Sequence, residues 1–193
     1  MSQRLVLAST SQYKRAQLRL LGVPFTCVDP GVHEDHAQYS GDPESYAIDL
    51  SQQKAIASAK RNPTAWVLGS DQVAVAADGT LLTKAGTPEK AVVQLQQCQN
   101  QTATFYSAAC LLRGDVSYRW SVRTRVTFRQ LDYAEICRYV EADRPEHCAG
   151  SFKVEALGIS LFRQIQSNDP SALVGLPLMT LAEHLRQAGF QVP

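Results

Sequence analysis

The chain has 193 residues, of which 45% are hydrophobic and 19% charged, so it is long enough to bury a core and too apolar for a disordered chain. Nineteen lysines and arginines against eighteen aspartates and glutamates give a net charge of +1, without the basic excess of a dedicated nucleic-acid binder but with room for a local pocket facing a small anion. No apolar run approaches the ~18 residues of a membrane span, and the stretch before Ser9 is too short for a signal peptide, so a cytoplasmic protein forming a single domain over 1–193 is expected.

In chain order, Leu5–Ala8 reads as a short buried strand. Ser9, Thr10 and Ser11 can cap the helix that follows, whose apolar positions are Ala16, Leu18, Leu20 and Leu21 and which Gly22 and Pro24 end. Phe25–Val28 is a second strand, and the polar stretch 29–42 a loop. Pro43 opens a long helix to about Lys60, with Tyr46, Leu50, Ala55 and Ala57 on its apolar side. A strand over 65–76 turns at Asp78-Gly79 and returns through Leu81-Leu82. A helix over 88–97 is followed by a strand over 102–112 and a turn at Gly114-Asp115. From 118 to 128 the pattern alternates: Trp120, Val122, Val126 and Phe128 face one way, Arg119, Arg123, Arg125 and Arg129 the other. Asp132 caps a helix to Val140, residues 158–165 form a further strand, Asn168-Asp169-Pro170 a turn, and 178–188 a last helix closed by Gly189. The mixed order predicts an α/β or α+β domain. Five cysteines without a C-x-x-C pair are expected to be reduced and mostly buried.

Several groups could carry chemistry. Ser9, Thr10 and Ser11 with Tyr13, Lys14 and Arg15 stand at a helix N-terminus, which attracts anions; the alternative is an ordinary cap with a solvated basic first turn. Asp71, after Gly69, interrupts an apolar strand, where a carboxylate needs a partner or a metal; the alternative is a turn. His33-Glu34-Asp35-His36 is a metal-binding loop or a solvated one, and a carboxylate from it beside Asp71 would suit Mg²⁺. Lys54, Lys84 and Lys153 are solvated charges, or they converge on a polyphosphate. The histidines are assigned surface or packing roles, and no catalytic triad pattern is present.

Taken together, the segments Leu7-Ala8-Ser9-Thr10-Ser11, Gln53-Lys54-Ala55, Gly69-Ser70-Asp71-Gln72-Val73, Lys84-Ala85, Val126 to Leu131, Ala149 to Glu155 and Val174 to Pro177 resemble the Maf family of nucleoside triphosphate pyrophosphatases, from Leu5 to about Leu185. The resemblance implies an α/β fold like that of Maf and ITPase proteins: a mixed, elongated sheet flanked by helices, with two lobes around a cleft. It implies an acid-anhydride hydrolase that cleaves between the α- and β-phosphates. Asp71 would activate water, a divalent cation (Mg²⁺ or Mn²⁺) would lie near Asp71 and Glu34, and Ser9, Ser11, Lys14, Lys54 and Lys84 would hold the triphosphate. Tyr13, Gln72 and Glu155 match the branch acting on 7-methyl-GTP. The physics agrees: the base is cationic, an aromatic ring stacks on it, and a carboxylate offsets its charge and accepts hydrogen bonds from its N1–H and amino group. A homodimer without membrane or stable nucleic-acid partner is implied as well. The family's proline, tryptophan, arginine, glutamate and proline are replaced by Gln12, Tyr13, Lys14, Gln53 and Ala85. Alternatives are another nucleotide preference (dTTP, UTP or broad), a nucleotide-binding module with weakened catalysis, or an RNA-facing role for the arginine face.

Overall fold

The computed structural model describes residues 3–33, 39 and 41–193. They form a six-stranded mixed sheet in the order β2-β1-β3-β4-β5-β6 with five α-helices, the α/β class expected. The chain divides into two compact units: one runs to Asp71 and adds Ser107–Val122 and Asp169–Pro193, and the other comprises Gln72–Tyr106 and Arg123–Asn168.

In the first unit, β1 (Leu5–Ala8) is buried throughout because it pairs in parallel on both sides, with β2 (Phe25–Val28) and with the start of β3 (Trp66–Val75). Alternation sorts these strands onto two faces. Leu5, Leu7, Trp66 and Leu68 pack with Leu18 of α1 (Gln12–Arg19) and with Leu181 and Leu185 of α5 (Leu178–Gln187). Val6, Ala8 and Val67 pack with Ala55 of α2 (Pro43–Ala59). The expected apolar side of α1 is corrected. Leu18 is buried, but Leu20 is 77% exposed, Ala16 faces water, and Gln17 takes the inward place. An eight-residue helix shows the core only about one turn of one face, and Gln17 is used there to bond a neighbouring loop. In α2, likewise, Lys54 lies inside the buried stripe and Ala57 only at its margin.

The second unit takes in the distal parts of β3, of β4 (Thr102–Arg113) and of β5 (Val116–Phe128), with α3 (Pro88–Cys98), α4 (Tyr133–Asp143) and β6 (Phe162–Ser167). Phe152 meets Phe105, Phe128 and Phe162 edge-to-face at centroid distances of 5.2, 6.0 and 4.8 Å. Asp132 and Glu135 close a reciprocal capping box on α4. The return through Leu81-Leu82 is a single bridge, Val75 to Leu81, rather than a strand. The strand expected over 158–165 begins only at Phe162, because Leu157–Leu161 is a 3₁₀ turn. Gly158 lies so close to Lys153 that a Cβ would stand 2.5 Å from its carbonyl oxygen, and that packing holds the turn. Arg119, Arg123 and Arg125 are exposed as read, whereas Arg129 is held by Glu135 at 2.9 Å. No disulfide joins the five cysteines, of which only Cys98 and Cys110 are buried; Cys27 sits exposed on β2.

Candidate active site

The parallel register sets Ala8, the last residue of β1, beside Gly69 of β3. Open parallel sheets take their ligands outside the carboxyl ends of such strands. After Ala8 the chain turns into α1. The Ser11 N–H donates to Ser9 Oγ at 3.1 Å, and Ser11 Oγ accepts from the Lys14 N–H at 3.4 Å, so Ser11 is the N-cap of α1. Lys14 reaches back toward β3, where its ammonium donates to the Ser70 carbonyl at 2.9 Å. Its stem borders Gly175, where φ is +134° and a Cβ would stand 3.3 Å from Lys14 Cε.

Asp71 follows from the alternation of β3. Residues 67, 69 and 71 face α2, and the absent side chain of Gly69 lets that helix lie almost on the strand: a Cβ would be 2.2 Å from the Ser51 carbonyl oxygen and 2.6 Å from the Ala55 nitrogen. Lys54, between those two contacts, thereby meets Asp71, Nζ to Oδ1 at 2.6 Å, with side-chain exposures of 9% and 10%. This is the partner that a carboxylate in an apolar strand requires. Ser70 points to the opposite face, where its hydroxyl is buried without a hydrogen-bond partner.

Behind Lys14, Gln17 fastens the loop before α5. Its Oε1 accepts from the Leu176 N–H at 2.9 Å and its Nε2 donates to the Ser171 carbonyl at 2.7 Å. Asp169, almost wholly buried, accepts from the N–H groups of Ser171 and Met179, each at 2.9 Å. No motif points to Gln17 or Ser70, and Asp169 reads as part of a turn. A polar residue at an otherwise apolar helix position was the available sign for Gln17; nothing in the hydropathy singles out Ser70.

Of the residues expected to form the site, Ser9, Ser11, Tyr13, Lys14, Lys54 and Asp71 belong to the first unit, and Gln72, Lys84 and Glu155 to the second. Tyr13 is 39% exposed on α1. Gln72 follows Asp71 in β3 and is half-buried, Lys84 is exposed with its backbone bridged to Ala149, and Glu155 is exposed. Glu34, and with it Asp35 and His36, lies outside the described residues. Two of the three lysines suggested as a cluster have partners of their own: Lys54 is paired with Asp71, and the Lys153 ammonium donates to the Asp143 carbonyl. His184 packs, as read, with ring centroids 4.7 Å from both Tyr118 and Trp120. Among the described residues no three histidines, cysteines or acids gather as a metal cage, and no helix is long and apolar enough to cross a membrane.

Fold and site together define an α/β protein that brings a helix N-terminus, two lysines and a buried carboxylate to the carboxyl end of a parallel strand. Those groups can bind an anion and accept a proton. The family model described as Maf-like protein matches residues 4–188, and the chain belongs to that family. It is 48% identical, over 98% of its length and 99% of the relative's, to the 7-methyl-GTP pyrophosphatase of Xanthomonas axonopodis pv. citri. It is 44% identical, over 98% of both chains, to the protein of the same name from Pseudomonas aeruginosa. A solved nucleoside-triphosphatase / dITP/XTP pyrophosphatase from Mycobacterium abscessus aligns over 96% of this chain and 97% of its own at 14% identity, with a TM-score of 0.48.

Proposed function

We propose that this chain hydrolyses 7-methyl-GTP to 7-methyl-GMP and pyrophosphate, working as one domain over 1–193. The observation that carries the reading is the buried Asp71–Lys54 pair at the end of the parallel strands, in a chain 43–48% identical to proteins named for that reaction. Asp71 accepts a proton as water attacks the α-phosphorus. The new P–O bond forms as the bond from that phosphorus to the bridging oxygen breaks, and pyrophosphate departs with the electron pair. Lys54, released toward the phosphates, uncovers Asp71 Oδ1, and with Lys14, Lys84, Ser9 and Ser11 it balances the charge of the triphosphate. Tyr13 stacks on the cationic purine, Glu155 accepts from its N1–H and amino group, and Gln72 lies beside the base.

A hard carboxylate such as Asp71 fits Mg²⁺ or Mn²⁺, which take one or two protein carboxylates together with phosphate oxygens. Asp71 and Glu34 would hold such an ion, which would supply Lewis-acid neutralisation of the phosphate charge. Five cysteines outside any disulfide suit a reducing cytoplasm. A homodimer, and no stable nucleic-acid partner, complete the reading by family resemblance.

The test is pyrophosphate release from 7-methyl-GTP, GTP, dTTP and UTP with Mg²⁺ or Mn²⁺. Preference for 7-methyl-GTP is expected, and Asp71→Asn, assayed at a temperature where it is folded because it strands the Lys54 ammonium, should lower turnover by about 10²-fold or more. Preference for dTTP or UTP rejects the substrate, and tight binding without turnover makes the chain a binding module.

A further inference from the structure

The segment Ala149 to Glu155 contains a lysine that the proposed reaction does not use. Around it residues 151–153 are held by several contacts. Ser151 is a buried non-glycine residue at φ +56°, in the left-handed region, and its hydroxyl donates to Gln94 Oε1 at 2.6 Å. Strain of that kind persists only where neighbours impose it. Phe152 is the centre of the aromatic core. The Lys153 N–H donates to Tyr139 Oη at 3.1 Å, its carbonyl accepts from the Ala156 N–H at 3.1 Å, and Gly158 packs on its backbone. Its ammonium donates to the carbonyl of Asp143, the last residue of α4. Helix C-termini present unsatisfied carbonyls and partial negative charge, so a lysine there is well placed. After all these ties comes Glu155, exposed to solvent.

We propose that Lys153 is a positioning residue: by bonding the carboxyl end of α4 it fixes the turn that presents Glu155 to the purine, and it is not a ligand of the triphosphate. The inference rests on the reading of Glu155 given above. A carboxylate that must accept two hydrogen bonds from a flat base tolerates little displacement, so loosening the turn weakens recognition of the base and leaves the phosphate contacts alone.

The experiment compares Lys153→Met, Lys153→Arg and Tyr139→Phe with the parent. It measures kcat and KM for 7-methyl-GTP and GTP, and inhibition by inorganic tripolyphosphate. Lys153→Met is expected to raise KM for 7-methyl-GTP about tenfold, the scale of one lost hydrogen bond, with kcat nearly unchanged. Its preference over GTP should narrow by a similar factor, and tripolyphosphate inhibition should stay constant. Lys153→Arg, which keeps a cationic donor, should recover most of the loss. On a Glu155→Gln background Lys153→Met should add nothing. Tyr139→Phe removes a second tie of the same turn and should show the same signature in weaker form, which keeps the test open if Lys153→Met does not fold. Weakened tripolyphosphate inhibition in parallel with KM, or no change in either, overturns the positioning role. A parent enzyme that prefers dTTP or UTP overturns the reading of Glu155 itself, and with it this inference.

Discussion

At the scale of single residues, the Lys54–Asp71 pair shows what each charge is for. Two side chains about nine-tenths buried and 2.6 Å apart satisfy one another, and removing either leaves the other buried without its counter-charge. Lys54→Met should therefore lower stability by about 3 kcal/mol, because it strands the Asp71 carboxylate. The double variant Lys54→Met/Asp71→Asn should recover more than half of that loss, as urea denaturation of both proteins would show. Equal stability of the single and double variants would mean that water already solvates Asp71 and that Lys54 is not its counter-ion. The sequence exposed one half of this pair. A carboxylate between apolar runs stands out, whereas a lysine between Gln53 and Ala55 looks like any solvated helix charge until its partner, 17 positions away, is known.

At the scale of elements, legibility followed burial. β1 and β3 are apolar because neighbours cover them, so both could be read directly. α1 reads as more apolar than it is because an eight-residue helix has too few positions for its period to outweigh one residue such as Leu20, which the core does not need. The apolar run over Leu157–Leu161 reads as strand because the local backbone packing of Gly158 on Lys153, which makes it a 3₁₀ turn, leaves no mark on hydropathy. Gly69 is the reverse case: a glycine inside an apolar strand is itself a sign of close backbone approach, and α2 makes that approach. Gly69→Ala would force α2 away from β3, since backbone atoms 2.2 and 2.6 Å from the new Cβ cannot rotate aside. A loss of about 2–3 kcal/mol in stability is expected. Turnover should fall further than stability does, because Lys54 lies between the two contacts and moves with the helix. Melting curves read beside kcat at a temperature where the variant is folded would separate the two effects.

At the scale of the whole molecule, a net charge of +1 conceals how the charges are disposed, and the response to pH follows from that disposition. The buried thiols and one buried phenol prefer their neutral forms. Burial pushes Cys98 of α3 from 9.0 up to about 11, and it raises Cys110 of β4 and Tyr139 of α4 as well. For such groups stability is complete below the unfolded pKa and is lost as pH rises through the folded one, because the unfolded chain releases its proton first. The carboxylates of Asp42, Asp78, Glu89, Glu135 and Glu146 run the other way, since hydrogen bonds hold each of them below its ordinary value; the backbone N–H of Asp132 leads for Glu135, and the side chain of Ser45 for Asp42. Their contribution is present above the ordinary carboxylate range and disappears as pH falls through it. Stability should thus form a plateau near neutrality that declines at both ends. On the alkaline side Cys98 alone accounts for about 2 kcal/mol between pH 9 and 11, from a shift of roughly two units. Denaturation midpoints taken every half unit from pH 7 to 11 should fall along that window. Cys98→Ala should be less stable at pH 7 because of the space it leaves, yet lose less on going to pH 11. An alkaline limb identical in the two proteins would show that the Cys98 thiol ionises as easily in the folded chain as in the unfolded one.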